Sequence, residues 1–251
     1  MFLQAGNLSG YKLGAKDGEI GSVKEFYFDD QNWAVRYLVA DTGDWLSGRQ
    51  VLVSPYALNP VDTAGKIIPV DLTKKQIENS PSLDTDKPVS RQYENEYYPY
   101  FGYSAYWGGP FLWGASGYPD RTQGWVESDE SAGKFADAHL RSTHDVSGQT
   151  IQASDGEIGH VEDFVIDDQT WSIRYLIVAT RNWLPGKKVL ISSEWVERID
   201  WEEGKVQINL TRDAVQHAPE FSAQALITRA YESSLHSHYN RHGYWVNKPA
   251  A

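Results

Sequence analysis

Residues 17–54 read DGEIGSVKEFYFDDQNWAVRYLVADTGDWLSGRQVLVS, and residues 155–192 read DGEIGHVEDFVIDDQTWSIRYLIVATRNWLPGKKVLIS. The two align without a gap at an offset of 138, which is 155 − 17. Asp17/Asp155, Gly21/Gly159, Phe26/Phe164, Trp33/Trp171, Arg36/Arg174, Trp45/Trp183 and Gly48/Gly186 are identical pairs. A match of this length is an internal duplication, and it organises the chain before any single motif does. Within each copy the signals are those of short strands. Asp17-Gly18 between alternating apolar flanks is a two-residue hairpin, since Gly accepts the positive φ that such a turn demands. It predicts strands near Tyr11–Lys16 and over Glu19–Phe28, with Gly21 marking a bulge. Asp29-Asp30-Gln31-Asn32 is a turn by composition. Trp33–Ala40 carries apolar residues on both faces and reads as a central strand. A loop bearing Trp45 leads to strands at Arg49–Val53 and Ile67–Leu72. Thr73 then caps a short helix, with Gln76 completing a capping box that Thr211 and Ala214 do not repeat.

The offset also reaches beyond these segments. RQYENEYYPYFGYSAYW at 91–107 aligns with RAYESSLHSHYNRHGYW at 229–245. Arg91, Tyr93, Glu94, Tyr106 and Trp107 meet Arg229, Tyr231, Glu232, Tyr244 and Trp245 as identical partners. An aromatic tail therefore closes each copy. The expected organisation is repeat 1 over 1–107, a Gly/Pro/acidic linker over 108–137, and repeat 2 over 138–251. In the linker, Gly, Pro and Ser read as punctuation rather than structure.

Composition limits the function classes. A net charge of −11 argues against a nucleic-acid backbone as partner and against a polybasic contact with anionic lipid. No cysteine is present, so thiolate catalysis, disulfides and Cys-ligated zinc are excluded. No apolar run is long enough to cross a bilayer, and MFLQAGNLSGYKLG lacks the pattern of a signal peptide. These features predict a soluble, cytoplasmic protein.

The order DGEIG, a strand ending in FD or ID, W-x-[VI]-R-Y-L, then W-L-x-G-[RK]-x-V-L-[VI]-S resembles the PRC-barrel family. That family is named for the cytoplasmic domain of the photosynthetic reaction-centre H subunit. The resemblance implies a mainly β fold of two tandem small barrels, each with a short helix and an aromatic C-terminal tail. It also implies an adaptor without chemistry or cofactor of its own. The two copies are expected to be related by a pseudo-two-fold and to pack through their tails.

Asp29-Asp30 and Asp167-Asp168 read as turn residues rather than as an acid/base pair, because adjacent side chains on an extended chain point apart. His236, His238 and His242 face Tyr98, Tyr100 and Ser104 in the other copy, and no carboxylate or Cys completes a ligand set, so no metal is assigned. Arg36 and Arg174 read as cross-strand ion pairs with Glu25 and Asp163, with an anion or partner site as the alternative. Trp45 and Trp183 are either partner contacts or plugs of the barrel end. Trp107 and Trp245 join the partner-binding candidates. No catalytic residue is expected. The reading is a non-enzymatic binding or scaffolding module for a protein, with self-association left open. The alternatives are a sugar or small-ligand binder using Tyr/Trp faces, or an accessory to an electron-transfer complex.

Overall fold

The computed structural model describes residues 1–46, 49–84, 89–122, 124, 139–180 and 186–246. Along the chain run β1 (Phe2–Gln4), α1 (Ala5–Leu8), β2 (Lys12–Ala15), β3 (Gly18–Asp29), β4 (Ala34–Asp41), β5 (Arg49–Val53), β6 (Ile67–Pro69), α2 (Lys74–Glu78), β7 (Leu83–Asp84) and α3 (Arg91–Phe101). Then come β8 (Leu140–Ser142), α4 (Thr143–Val146), β9 (Thr150–Ala153), β10 (Gly156–Asp167), β11 (Ile173–Ala179), β12 (Lys188–Ser192), β13 (Val196–Asp200), β14 (Lys205–Ile208), α5 (Arg212–Gln216) and α6 (Arg229–His238). The protein is mainly β, with two sheets. It divides into two compact units. Unit 1 holds Met1, Leu3–His144 and Ile166–Ile173, and unit 2 holds Phe2, Asp145–Val165 and Arg174–Ala251.

The sheet of unit 1 follows β6-β2-β3-β4-β5-β7, with β8 paired to β3. The Asp17-Gly18 hairpin joins β2 to β3 with Ala15 opposite Gly18. A bulge follows at once, because Leu13 pairs with Gly21 and Gly14 with Glu19. Gly21 sits at φ +129°, and a Cβ there would lie 2.0 Å from the Asp41 carbonyl oxygen. Only glycine fits that close approach. β6 runs parallel to β2 and ends at Pro69, which has no N–H to offer. Among the described residues the pairing follows an open path and does not close into a ring. Leu13, Phe26, Phe28, Val35, Leu38 and Val53 are among the side chains that fill its core.

Unit 1 also contains pieces of the second sequence repeat. β8 lies antiparallel on β3, with Tyr27 opposite Ser142, and Arg141 donates from Nε to Asp30 at 3.0 Å. Ala34 and Ser172, equivalent positions of the two repeats, form an antiparallel bridge. Val35 N–H donates to Trp171 O at 2.8 Å and Ile173 N–H to Trp33 O at 2.7 Å.

In unit 2 the order is β12-β11-β10-β9-β14-β13. It repeats the bulge, where a Cβ at Gly159 would lie 2.0 Å from the Ala179 carbonyl oxygen, and the parallel pair, here β14 on β9. Both short helices start as the sequence predicts. The Thr73 hydroxyl accepts from Gln76 N–H at 3.2 Å while Gln76 accepts from Thr73 N–H at 2.9 Å. Thr211 accepts from Ala214 N–H at 3.2 Å with no reciprocal bond available from an alanine. The segments 91–101 and 229–238, expected as aromatic tails with no secondary structure assigned, are helices. Ser90 and Thr228 cap them, each accepting at 3.2 Å from the N–H three residues on. A side-chain cap and i,i+3/i+4 contacts overrode the poor helix propensity of the aromatic residues.

Candidate functional site

Starting α3 at Arg91 places Glu94 on the same helix face one turn later. Arg91 Nη1 donates to Glu94 Oε2 at 2.6 Å. Two phenols complete the shell. Tyr37 of β4 donates to Glu94 Oε1 at 3.0 Å, and Tyr106, on the return from α3, donates at 3.1 Å. Glu94 is wholly buried. One carboxyl group therefore ties a strand, a helix and a loop together, and a buried charge left without these donors would cost several kcal/mol. Burial pushes its pKa up to about 7, against the pull of Arg91 and of the hydrogen bonds from Tyr37 and Tyr106. Burial likewise raises Tyr37 and Tyr106 far above the ordinary phenol range, so both stay protonated and able to donate.

Unit 2 builds the same seam. Glu232, buried on α6, accepts from Tyr175 at 2.8 Å and from Tyr244 at 3.0 Å, and pairs with Arg229 at 2.9 Å. His236 replaces Tyr98 beside it. Its Nε2 lies 3.2 Å from the Tyr175 hydroxyl and its Nδ1 3.0 Å from the His242 carbonyl. His238 Nε2 instead meets the Ala214 carbonyl at 2.7 Å. Among the described residues no group of three His, Asp or Glu side chains is arranged to hold a metal.

Arg36 belongs to the edge of the unit 1 seam, and here the sequence reading needs correcting. Its partner is Asp29, at 3.1 Å, rather than Glu25. Tyr27 pairs with Tyr37 and Phe28 with Val35, so Arg36 is the extra residue of a β-bulge and its side chain is re-aimed. Nη1 donates to Leu112 O at 2.7 Å, and the guanidinium stacks 3.8 Å from the Tyr106 ring centroid and 4.9 Å from that of Trp113. Asp29 still makes its turn, accepting from Gln31 and Asn32 N–H at 2.9 and 3.2 Å. Burial opposes its ionisation, but Arg36 and these bonds hold its pKa below the ordinary value. Glu25 instead accepts from the Ser142 hydroxyl.

The second correction concerns residues 108–122. Read as mere punctuation, they form a folded loop, with Trp113 N–H donating to Ser116 O at 2.8 Å and Phe111 N–H to Gly114 O at 3.0 Å. Trp113 is fully buried. Its ring stands edge-on to Tyr56 at 5.2 Å, and its indole N–H donates to Thr170 O at 2.8 Å. Arg121 clamps the far end through Asp71 at 3.1 Å and the Leu58 carbonyl. The rings of Phe111 (56% exposed) and Tyr118 (55%) point outward from this anchored loop. Residues 123 and 125–137 of the expected linker lie outside the described residues.

Trp45 is half-buried with the Lys74 ammonium 4.6 Å from its ring centroid. Trp107 lies under Arg91 at 4.0 Å and Trp245 under Arg229 at 4.2 Å. Arg174 covers Tyr244 at 4.0 Å. Trp183 lies outside the described residues. Glu94, Glu232 and Trp113 were not singled out from the sequence. The signal for the first two was present, since the identical positions in the tails, Arg91/Arg229, Glu94/Glu232 and Tyr106/Tyr244, are the seam itself. Trp113 occurs once and left no such trace.

Comparison with known proteins gives one firm result. No curated protein matches the chain. The model of the PRC-barrel domain matches twice, at residues 5–77 and 139–215, which together exceed half the sequence. The chain thus belongs to the PRC-barrel domain family, as a tandem of two such domains.

Proposed function

We propose that this chain is a non-catalytic scaffold that binds a protein partner, with the 108–122 loop of unit 1 as its principal contact. The family supports this reading, because PRC-barrel domains occur in binding and scaffold modules and are generally non-catalytic. The seam supports it as well. Both carboxylates are buried and surrounded by donors of the fold itself, which suits a clasp and not a base that must meet a substrate.

The observation that carries the reading is the contrast inside one loop. Trp113 is sealed in the unit while Phe111 and Tyr118, two and five residues away, are more than half exposed. Large rings held on an ordered backbone lose little entropy on binding, which makes them effective interface anchors. Trp45, Trp107 and Trp245, each partly exposed, are proposed as secondary contacts, together with Trp183. Arg36, which is buried, and Arg174, which is half-buried, act by fixing Tyr106 and Tyr244. The intact chain and a Phe111→Ser/Tyr118→Ser variant serve as paired baits in native lysate. Proteins retained reproducibly by the intact chain and lost by the variant support the proposal. Equal retention by both, or none by either, overturns it.

A further inference from the structure

A tyrosine loses an electron near neutral pH only together with its hydroxyl proton, because the phenol radical cation is a far stronger acid than any carboxylic acid. A buried tyrosine is therefore oxidised readily only where a base waits on its hydroxyl. In unit 1, Tyr97 donates to the Leu52 carbonyl at 2.9 Å and Tyr56 to the Trp113 carbonyl at 3.3 Å, and a backbone carbonyl accepts a hydrogen bond without taking the proton. The buried Tyr98 hydroxyl has no hydrogen-bond partner among the described residues. Tyr106 is placed differently. Its hydroxyl lies 3.1 and 3.2 Å from the two carboxylate oxygens of Glu94. Its ring stands edge-on to Trp107, 4.9 Å away between centroids, which is a packed aromatic pair. Tyr106 is buried and Trp107 is partly exposed. One line thus runs from a surface indole through a buried phenol to a buried base.

We propose that Trp107, Tyr106 and Glu94 form a one-electron sink, filled by an outer-sphere oxidant strong enough to oxidise an indole. The oxidant takes one electron from Trp107. Tyr106 refills the indole, its O–H bond breaks, and the proton forms a new O–H bond on Glu94. A neutral phenoxyl radical is left beside a neutral acid, and Trp107 ends unchanged. One electron from a reductant reverses the step and returns the proton to Tyr106. The guanidinium groups of Arg36 and Arg91 lie 3.8 and 5.2 Å from the Tyr106 ring centroid. Positive charge over the ring face opposes a radical cation, so electron and proton leave Tyr106 together rather than in turn. Both products keep partners in the seam. Tyr37 donates to Glu94 Oε1 at 3.0 Å, and Arg91 Nη1 donates to the Tyr106 oxygen at 3.2 Å. Unit 2 repeats the line as Trp245, Tyr244 and Glu232. Tyr244 is only half-buried, so a radical there is open to quenching from solvent, and the lasting one belongs to unit 1.

Flash-generated tris(bipyridine)ruthenium(III) supplies the oxidant to the intact chain at pH 8.5, where Glu94 is ionised, and electron paramagnetic resonance follows the radical. A long-lived neutral tyrosyl signal is expected, forming more slowly in D2O. Tyr106→Phe should lose that signal. Glu94→Gln, which keeps an acceptor but not a base, should lower its yield several-fold. Trp107→Phe, a change at a partly exposed ring, should slow its formation several-fold and keeps the test open if a change at the buried acid prevents folding. The unmodified chain is decisive by itself. No long-lived tyrosyl signal there, or a rate of formation equal in H2O and D2O, overturns the proposal. Survival of the signal in Tyr106→Phe, or an equal yield in Glu94→Gln, overturns it as well.

Discussion

Replacing Glu94 by Gln should make the stability of unit 1 less sensitive to pH between about 4.5 and 7. The carboxyl group titrates near its ordinary value of 4.5 in the unfolded chain and near 7 in the fold, where burial favours the neutral acid. Its folded pKa is raised, so the folded state holds more protons across that window. The stabilisation is therefore fully present below 4.5 and is lost as pH rises through 7. At ~1.4 kcal/mol per pH unit this difference corresponds to about 3 kcal/mol. Glu94 is fully buried, so solvent screening does not dilute the effect. Other groups act in different windows or units. Asp29 and Asp71 are lowered and lose their contribution only in stronger acid. His236 is lowered and favours folding as pH rises through 6.5, which opposes Glu94 in a simple pH scan. Urea unfolding followed by tryptophan emission, at half-unit steps from pH 4.5 to 8 for both proteins, separates these terms by subtraction. The stability of the intact chain relative to Glu94→Gln should fall by about 3 kcal/mol across the range. A difference that does not change with pH would refute the reasoning. It would mean that Arg91, Tyr37 and Tyr106 hold Glu94 ionised throughout.

Other perturbations test the remaining parts of the structure. Trp113→Ala should cost about 3–5 kcal/mol by the cavity it leaves, whereas Phe111→Ser, on an exposed ring, should change stability by less than ~0.5 kcal/mol; thermal unfolding compares them. Gly21→Ala and Gly159→Ala each drive a methyl group onto a carbonyl oxygen 2.0 Å away, and each should lower the melting temperature of its own unit strongly enough to see in calorimetry. Thr73→Ala should cost about 1 kcal/mol and more than Thr211→Ala, because only Thr73 loses a reciprocal capping box; denaturant midpoints of the two variants give the order. Arg36→Leu should raise the Asp29 pKa toward or past its ordinary value, readable by carboxyl NMR, since Arg36 is the largest influence keeping it down.

Much of the fold was legible because it is local. The Asp17-Gly18 hairpin, the Gly21 bulge, the Asp29 turn and the Thr73 box each depend on residues within a few positions of one another. The duplication made all of these readings but the capping box twice over. Helix α3 was missed for a related reason. Its sequence is poor in strong helix formers, and it is held by its Ser90 cap and by Tyr97, whose hydroxyl donates to Leu52 O at 2.9 Å from a strand 45 positions away.

By itself the sequence determined two copies of a β-rich domain, their turns and bulges, and their family. Tertiary structure alone decided which polar groups would be buried together. Glu94 and Tyr37 are 57 residues apart, and no local pattern says that the chain returns Tyr106 to the same carboxyl group. Arg36 turned away from Glu25 because a bulge shifted its side chain, and Trp113 became core because Tyr56 and the Thr170 carbonyl were waiting for it. Periodicity records which face of an element is buried. It does not record which distant donors a buried acid will meet, and at this seam that meeting sets both the charge state and the hold of the helix.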